Sequence, residues 1–164
     1  MIIGLAKEIK NEEYRVGLTP ASAKEYVAHG HRVLVEHGAG AGTGFSDSEY
    51  RQCGCEIVTN RKKLFADAEM IIKVKEPLQE EYGLLHEGQI LYTYLHLAAD
   101  KKLTQAMLDR KVTGVAYETL TETDGSLPLL APMSQIAGRL SVQEGAKYLE
   151  KPFGGRGILL GGVP

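Results

Sequence analysis

Six short runs of apolar and β-branched residues recur along the chain: Ile2–Ala6, Arg32–Glu36, Glu56–Thr59, Met70–Val74, Gln89–Tyr94 and Val112–Tyr117. Each is too short for a helix and is bounded by breakers, the mark of a strand. Between them stand helix start signals. Thr19 precedes Pro20 as N-cap and first helical residue, Ser46 and Glu49 form a capping box, Thr59 precedes Asn60–Phe65, and Asp100 precedes Lys101–Arg110. The predicted order is βαβαβαβαβαβ. Near-continuous apolar runs such as Met70-Ile71-Ile72 belong to strands covered on both faces. The fold class that follows is α/β, a three-layer, mostly parallel sheet of Rossmann or flavodoxin-like type with helices on both faces.

From Pro132 the period changes. Met133, Ile136, Ala137 and Leu140 fall on one helical face, and helix formers continue to about Lys151, where Pro152 stops them. A glycine-rich connection, Gly154-Gly155-Arg156-Gly157, leads to the apolar run Ile158-Leu159-Leu160. The pattern predicts an α/β domain over residues 1–131. Residues 132–164 then form a long connecting helix and the start of a further domain, as expected of part of a longer polypeptide.

At 164 residues with 43% apolar content, the chain can bury a core without a disulfide or metal staple. Its formal charge of -2 excludes nucleic-acid binding by bulk positive charge, so any anion site is local. The N-terminal segment lacks the basic and apolar regions of a signal peptide, and no window approaches the length of a membrane span. The two cysteines, Cys53 and Cys55, suit reduced thiols better than a disulfide framework, and the expected location is the cytoplasm.

The loop Gly38-Ala39-Gly40-Ala41-Gly42-Thr43-Gly44 stands where a dinucleotide loop would, after a strand and before a capped helix. No G-x-G-x-x-G or Walker A spacing can be drawn through it, so it reads as a plain βα connection. His29, His31 and His37 with the two cysteines offer soft ligands by count, but His31 and His37 cap opposite ends of a strand, on the order of 20 Å apart. No metal site is expected. Three bases are more informative. Arg15, Lys75 and His96 each follow a strand, and parallel sheets bind ligands outside the carboxyl ends of their strands. Arg15 can grip a carboxylate bidentately, Lys75 adds a point charge, and His96, set in Tyr94-Leu95-His96-Leu97, is expected to be desolvated, neutral and able to trade protons. Spacing alone leaves open the plainer alternative of a structural histidine and two solvated cations.

With these residues in view, the chain resembles the N-terminal half of the alanine dehydrogenase and pyridine nucleotide transhydrogenase family. The blocks that carry the resemblance are Lys7–Pro20 (KEIKNEEYRVGLTP), Lys73–Pro77 (KVKEP), Leu91–Ala99 (LYTYLHLAA), Gly114–Leu120 (GVAYETL), Leu127–Leu140 (LPLLAPMSQIAGRL) and Gly154–Pro164 (GGRGILLGGVP). The resemblance implies that Arg15 and Lys75 hold the substrate, that His96 is the acid/base group, that Met133 lines the same cleft and that Ser134 touches the cofactor. It implies NAD-dependent oxidative deamination of L-alanine to pyruvate and ammonia in a cytoplasmic homo-oligomer, hexameric in the family. The NAD fingerprint and a catalytic aspartate belong to a second domain in that family, so this chain alone is expected to lack turnover. Two alternatives stay open: the nucleotide-binding subunit of proton-translocating transhydrogenase, disfavoured by His96 in YLHLAA, and a non-catalytic binding or assembly module.

Overall fold

All six predicted strands form in the computed structural model, which describes residues 1–162: β1 (Ile2–Leu5), β2 (Arg32–Glu36), β3 (Glu56–Val58), β4 (Met70–Ile72), β5 (Ile90–Thr93) and β6 (Thr113–Ala116). They hydrogen-bond into one sheet in the order β3-β2-β1-β4-β5-β6, every neighbouring pair parallel. The chain runs outward from β1 through β2 and β3, then returns to β4 on β1's other side. The strand order therefore reverses between β1 and β4, and the crevice outside their carboxyl ends is the natural ligand position of such a sheet.

The helices α1 (Pro20–Ala28), α2 (Asp47–Gln52), α3 (Arg61–Asp67) and α4 (Lys101–Arg110) start close to where their caps predict. Thr19 Oγ1 accepts from the Ser22 N–H, the Ser46/Glu49 capping box is closed in both directions, and the Asp100 carboxylate accepts from the Lys102 and Leu103 N–H groups. Two expectations are corrected. Asn60, not Thr59, caps α3, because its side-chain carbonyl reaches the Lys63 N–H three positions on at 3.2 Å. The β4–β5 connection carries no α-helix but only a 3₁₀ turn at Tyr82–Leu84, Pro77 and Gly83 interrupting any longer helical run.

Alternation along the strands sorts the core into two layers. Val33 and Val35 pack with Ile3, Leu5, Ala23, Tyr50 and Ile72, while Leu34 packs with Leu64, Phe65, Ile71, Leu91 and Leu103 on the opposite face. Each large aliphatic or aromatic side chain so buried contributes about 1.5–3 kcal/mol. Close approach explains two glycines. A Cβ on Gly17 would sit 2.9 Å from the Lys73 carbonyl carbon, and one on Gly42 would sit 2.5 Å from the Tyr14 carbonyl oxygen.

The sheet and its helices make up one compact unit, Met1–Tyr117, and a second begins at Glu118. The second unit contains α5 (Ala131–Tyr148), an 18-residue helix with Pro132 in its first turn, followed by a 3₁₀ turn at Lys151–Phe153. The expected helix end near Lys151 is thus split in two, and Pro152 sits inside the 3₁₀ turn. Ile158–Leu160 takes no strand conformation; its side chains are exposed, and a lone strand has no ladder to join. Val163 and Pro164, the last residues of the expected domain start, lie outside the described residues.

Candidate functional site

Three connections leave the sheet around the strand-order reversal: the segment after β1 carries Arg15, that after β4 carries Lys75, and that after β5 carries His96. The fold therefore brings three residues distant in sequence to one edge.

Arg15 does not stand as an open cation. Its guanidinium forks onto Glu13, Nε donating to Oε1 at 2.8 Å and Nη2 to Oε2 at 2.6 Å, and its backbone N–H donates to the same carboxylate at 3.0 Å. These bonds hold the Glu13 carboxyl below the usual carboxylate range against its partial burial, and the Lys75 charge adds to the effect, placing Lys75 within electrostatic reach. Glu13 and Arg15 lie in an irregular segment, where no helical or strand period orients side chains, so nothing in the sequence marked them as a pair.

Lys75 is anchored through its backbone. Glu8, from the segment after β1, accepts from the Val74 N–H at 2.6 Å and the Lys75 N–H at 3.3 Å. Its other oxygen lies 3.3 Å from Lys73 Nζ, close enough to pair but without a directed hydrogen bond. Lys73, fully buried, also binds Glu81 Oε1 at 3.0 Å, and Arg61 joins Glu81, Glu36 and the Lys7 carbonyl. The Lys73-Val74-Lys75 pair of bases thus divides: one ammonium neutralises buried carboxylates, the other is half exposed at the edge.

His96 occupies the left-handed backbone region, φ 50° and ψ 35°, at the step from β5 into the 3₁₀ turn Leu97–Ala99. Its ring stacks on Tyr94 with centroids 6.1 Å apart, Tyr94 meets Tyr117 edge-on at 5.0 Å, and Tyr92 meets Tyr117 at 4.4 Å. Burial pushes the Tyr117 hydroxyl well up. The desolvated setting expected for His96 is not found: Leu95 takes the inward place at 2% exposure, and His96 is exposed. Beside it, partial burial would raise the Glu76 carboxyl, but its hydrogen bond from Lys10 and the charges of Lys10 and His96 bring it below its ordinary value.

The other sequence candidates have local roles. The Gly38 N–H donates to Asp47 at 2.9 Å, Asp47 also binds His37 Nδ1, and Gly42 packs on the Tyr14 backbone, while Gly38 and Ala41 line a surface cavity with Lys7, Phe45 and Asp47. His29 pairs with the Glu25 carbonyl and His31 with the N-terminal amine. Cys53 and Cys55 are free thiols, the latter pushed up to about 11 by burial and by its neighbour. Met133 and Ser134 lie in the first turn of α5 in the second unit, Met133 half-buried and Ser134 exposed.

Residues 4–137 match the family model described as alanine dehydrogenase/PNT, N-terminal domain. The chain belongs to this family. Within the alanine dehydrogenase/PNT family it is 59% identical, over its whole length, to the alanine dehydrogenase of Methanococcus maripaludis and 56% identical to that of Bacillus subtilis. It spans 44% and 43% of those relatives. A solved L-alanine dehydrogenase superposes with a TM-score of 0.88 at 54% identity, covering all of this chain and 45% of that one. A transhydrogenase from Sinorhizobium meliloti superposes less well, TM-score 0.71 at 27% identity over 76% of this chain and 35% of that one. Among the described residues no helix is long and apolar enough to cross a membrane.

Proposed function

We propose that this chain is the substrate-binding part of an NAD-dependent L-alanine dehydrogenase, which converts L-alanine, NAD and water to pyruvate, ammonia and NADH. The observation that carries this reading is the convergence of Arg15, Lys75 and His96 at the strand-order reversal, in a chain matched end to end by alanine dehydrogenases. In it, residues 1–131 bind substrate and residues 132–164 connect to a cofactor domain. Arg15, exchanging part of its grip on Glu13 for the substrate, holds the carboxylate; Lys75 sets a positive charge where the carbonyl oxygen develops. His96 takes the proton of the water that attacks the imine carbon and later passes it to the leaving amine. Met133 lines the cleft and Ser134 meets the cofactor.

Bound NAD supplies the hydride acceptor. The described residues of the first unit do not fit a dinucleotide cradle: the turn after β1, Ala6-Lys7-Glu8-Ile9-Lys10, has no glycine, and the Gly38–Gly44 loop lacks G-x-G-x-x-G spacing and packs Gly42 tightly against the Tyr14 backbone. NAD is accordingly assigned mainly to a region outside this chain, and turnover by these residues alone is not expected. A cytoplasmic homo-oligomer without nucleic-acid or membrane partners completes the reading. The transhydrogenase reading ranks second, because the likeness to the Sinorhizobium meliloti protein is half as strong in identity and covers less of the chain.

Two measurements test the proposal. The 164-residue chain should bind pyruvate by calorimetry, and joined to the remaining portion of the Bacillus subtilis relative it should reduce NAD on addition of L-alanine. A fusion that folds and binds NAD but ignores alanine would refute it.

A further inference from the structure

We propose that Glu8 is the positioning residue for Lys75, setting the place of the substrate-facing ammonium through the backbone; the proposal rests on the substrate-binding reading above. Lys75 lies beyond the end of β4, where ladder bonds no longer define the chain: the last β4 residue in register is Ile72. The Val74 carbonyl is fixed on the β5 side by the Tyr94 N–H at 3.2 Å. On the opposite side the Val74 and Lys75 N–H groups find one acceptor, Glu8 Oε1, delivered from the segment after β1. The 2.6 Å bond from Val74 is short, as expected when a carboxylate is the acceptor.

Glu8 is itself held without freedom. Its side chain is 4% exposed, and the buried Lys73 ammonium balances its charge while Glu81, itself paired with Arg61, holds Lys73 in turn. A buried carboxylate this constrained is suited to defining a backbone to a fraction of an ångström, which an ammonium on a flexible four-carbon stem cannot do for itself. Glu8 thus ties the two connections that carry Arg15 and Lys75, fixing their separation across the crevice.

A double-mutant cycle on pyruvate binding by the 164-residue chain tests this. Glu8→Ala should weaken binding about tenfold, Glu8→Gln, which keeps an acceptor oxygen, about twofold or less, and Glu8→Ala in a Lys75→Ala background should cost nothing further. Amide resonances of Val74 and Lys75 should shift in Glu8→Ala and stay near their native positions in Glu8→Gln. Should Glu8→Ala not fold, Glu8→Asp retains the charge facing Lys73 but retracts the acceptor by one methylene, and the same coupling to Lys75 is expected. Val33→Ala, which loosens the core away from the crevice, should leave affinity unchanged. Equal affinity of the folded Glu8 variants and the native chain, or losses that simply add to that of Lys75→Ala, overturns the positioning role while leaving the substrate reading intact. Failure of the native chain to bind pyruvate overturns both.

Discussion

His96 adopts a left-handed conformation that costs a residue with a Cβ roughly 1 kcal/mol or more, and that cost is localised at a candidate proton-transfer group. His96→Gly is therefore expected to stabilise the chain by about 1 kcal/mol in urea unfolding. In the fusion with the Bacillus subtilis portion the same change should lower alanine-dependent turnover by about 10²–10⁴-fold. A loss of stability would show that the ring contacts with Tyr94 outweigh the backbone strain. Arg15→Ala should weaken pyruvate binding by about tenfold or more, since a bidentate carboxylate partner is removed. Unchanged affinity in calorimetry would take Arg15 out of the site. At this scale the sequence was partly legible. Basic residues placed just after strands can be found by pattern, so Arg15, Lys75 and His96 could be singled out. The acidic groups behind them could not: Glu8, Glu13 and Glu81, the last reaching Lys73 and Arg61, are three among 21 carboxylates, and which of them turns inward depends on a crossing of segments that no local period encodes.

Elements were more legible than residues, because strands and caps are local events. The Thr19, Ser46 and Asp100 caps each satisfy helix N–H groups as their residue types predict, whereas the α3 start was misplaced by one residue because Thr59 and Asn60 are both good caps and only geometry chooses between them. The missing helix between β4 and β5 reflects the competition in that segment. The Glu81 side chain accepts the Leu78 N–H at 3.0 Å and turns inward to Lys73 and Arg61, a geometry that favours an irregular loop over a helix. Asp100 sits at the join between the His96 turn and α4, accepting two N–H bonds. Asp100→Ala should cost about 1–2 kcal/mol in denaturant unfolding. Little or no change would mean that the turn and the helix start are held by packing alone.

For the molecule as a whole, the dominant electrostatic feature is the fully buried Lys73 with Glu8 and Glu81. Removing the ammonium leaves the buried Glu8 carboxylate without its cation, while Glu81 keeps Arg61, so Lys73→Ala should destabilise by about 3–5 kcal/mol, and added salt should rescue little because buried pairs are weakly screened. The acid limb of stability follows from the depressed carboxylates. Glu13 is lowered by its hydrogen bonds from Arg15, and Glu76 falls below its usual range because burial, which raises it, is outweighed by its hydrogen bonds and the charges of Lys10 and His96 taken together. A group whose folded pKa is depressed contributes stability that is complete above its unfolded value and is lost as pH falls through the folded one. Stability should therefore be flat above about pH 5 and decline below it, with Glu13→Gln flattening that decline. An acid limb identical to the native one in Glu13→Gln would show that the pair contributes nothing to folding.

The three tyrosines walled against His96 have an optical consequence. The chain has no Trp, so its near-ultraviolet signal comes chiefly from eight tyrosines, and two of these, Tyr92 and Tyr94, each lie edge to face with Tyr117, at 4.4 and 5.0 Å. Chromophores fixed in a chiral arrangement couple and give strong circular dichroism, whereas freely rotating phenols give almost none. An unlabelled ligand settling between Arg15 and His96 would disturb that arrangement directly, making the protein its own dichroic indicator of occupancy.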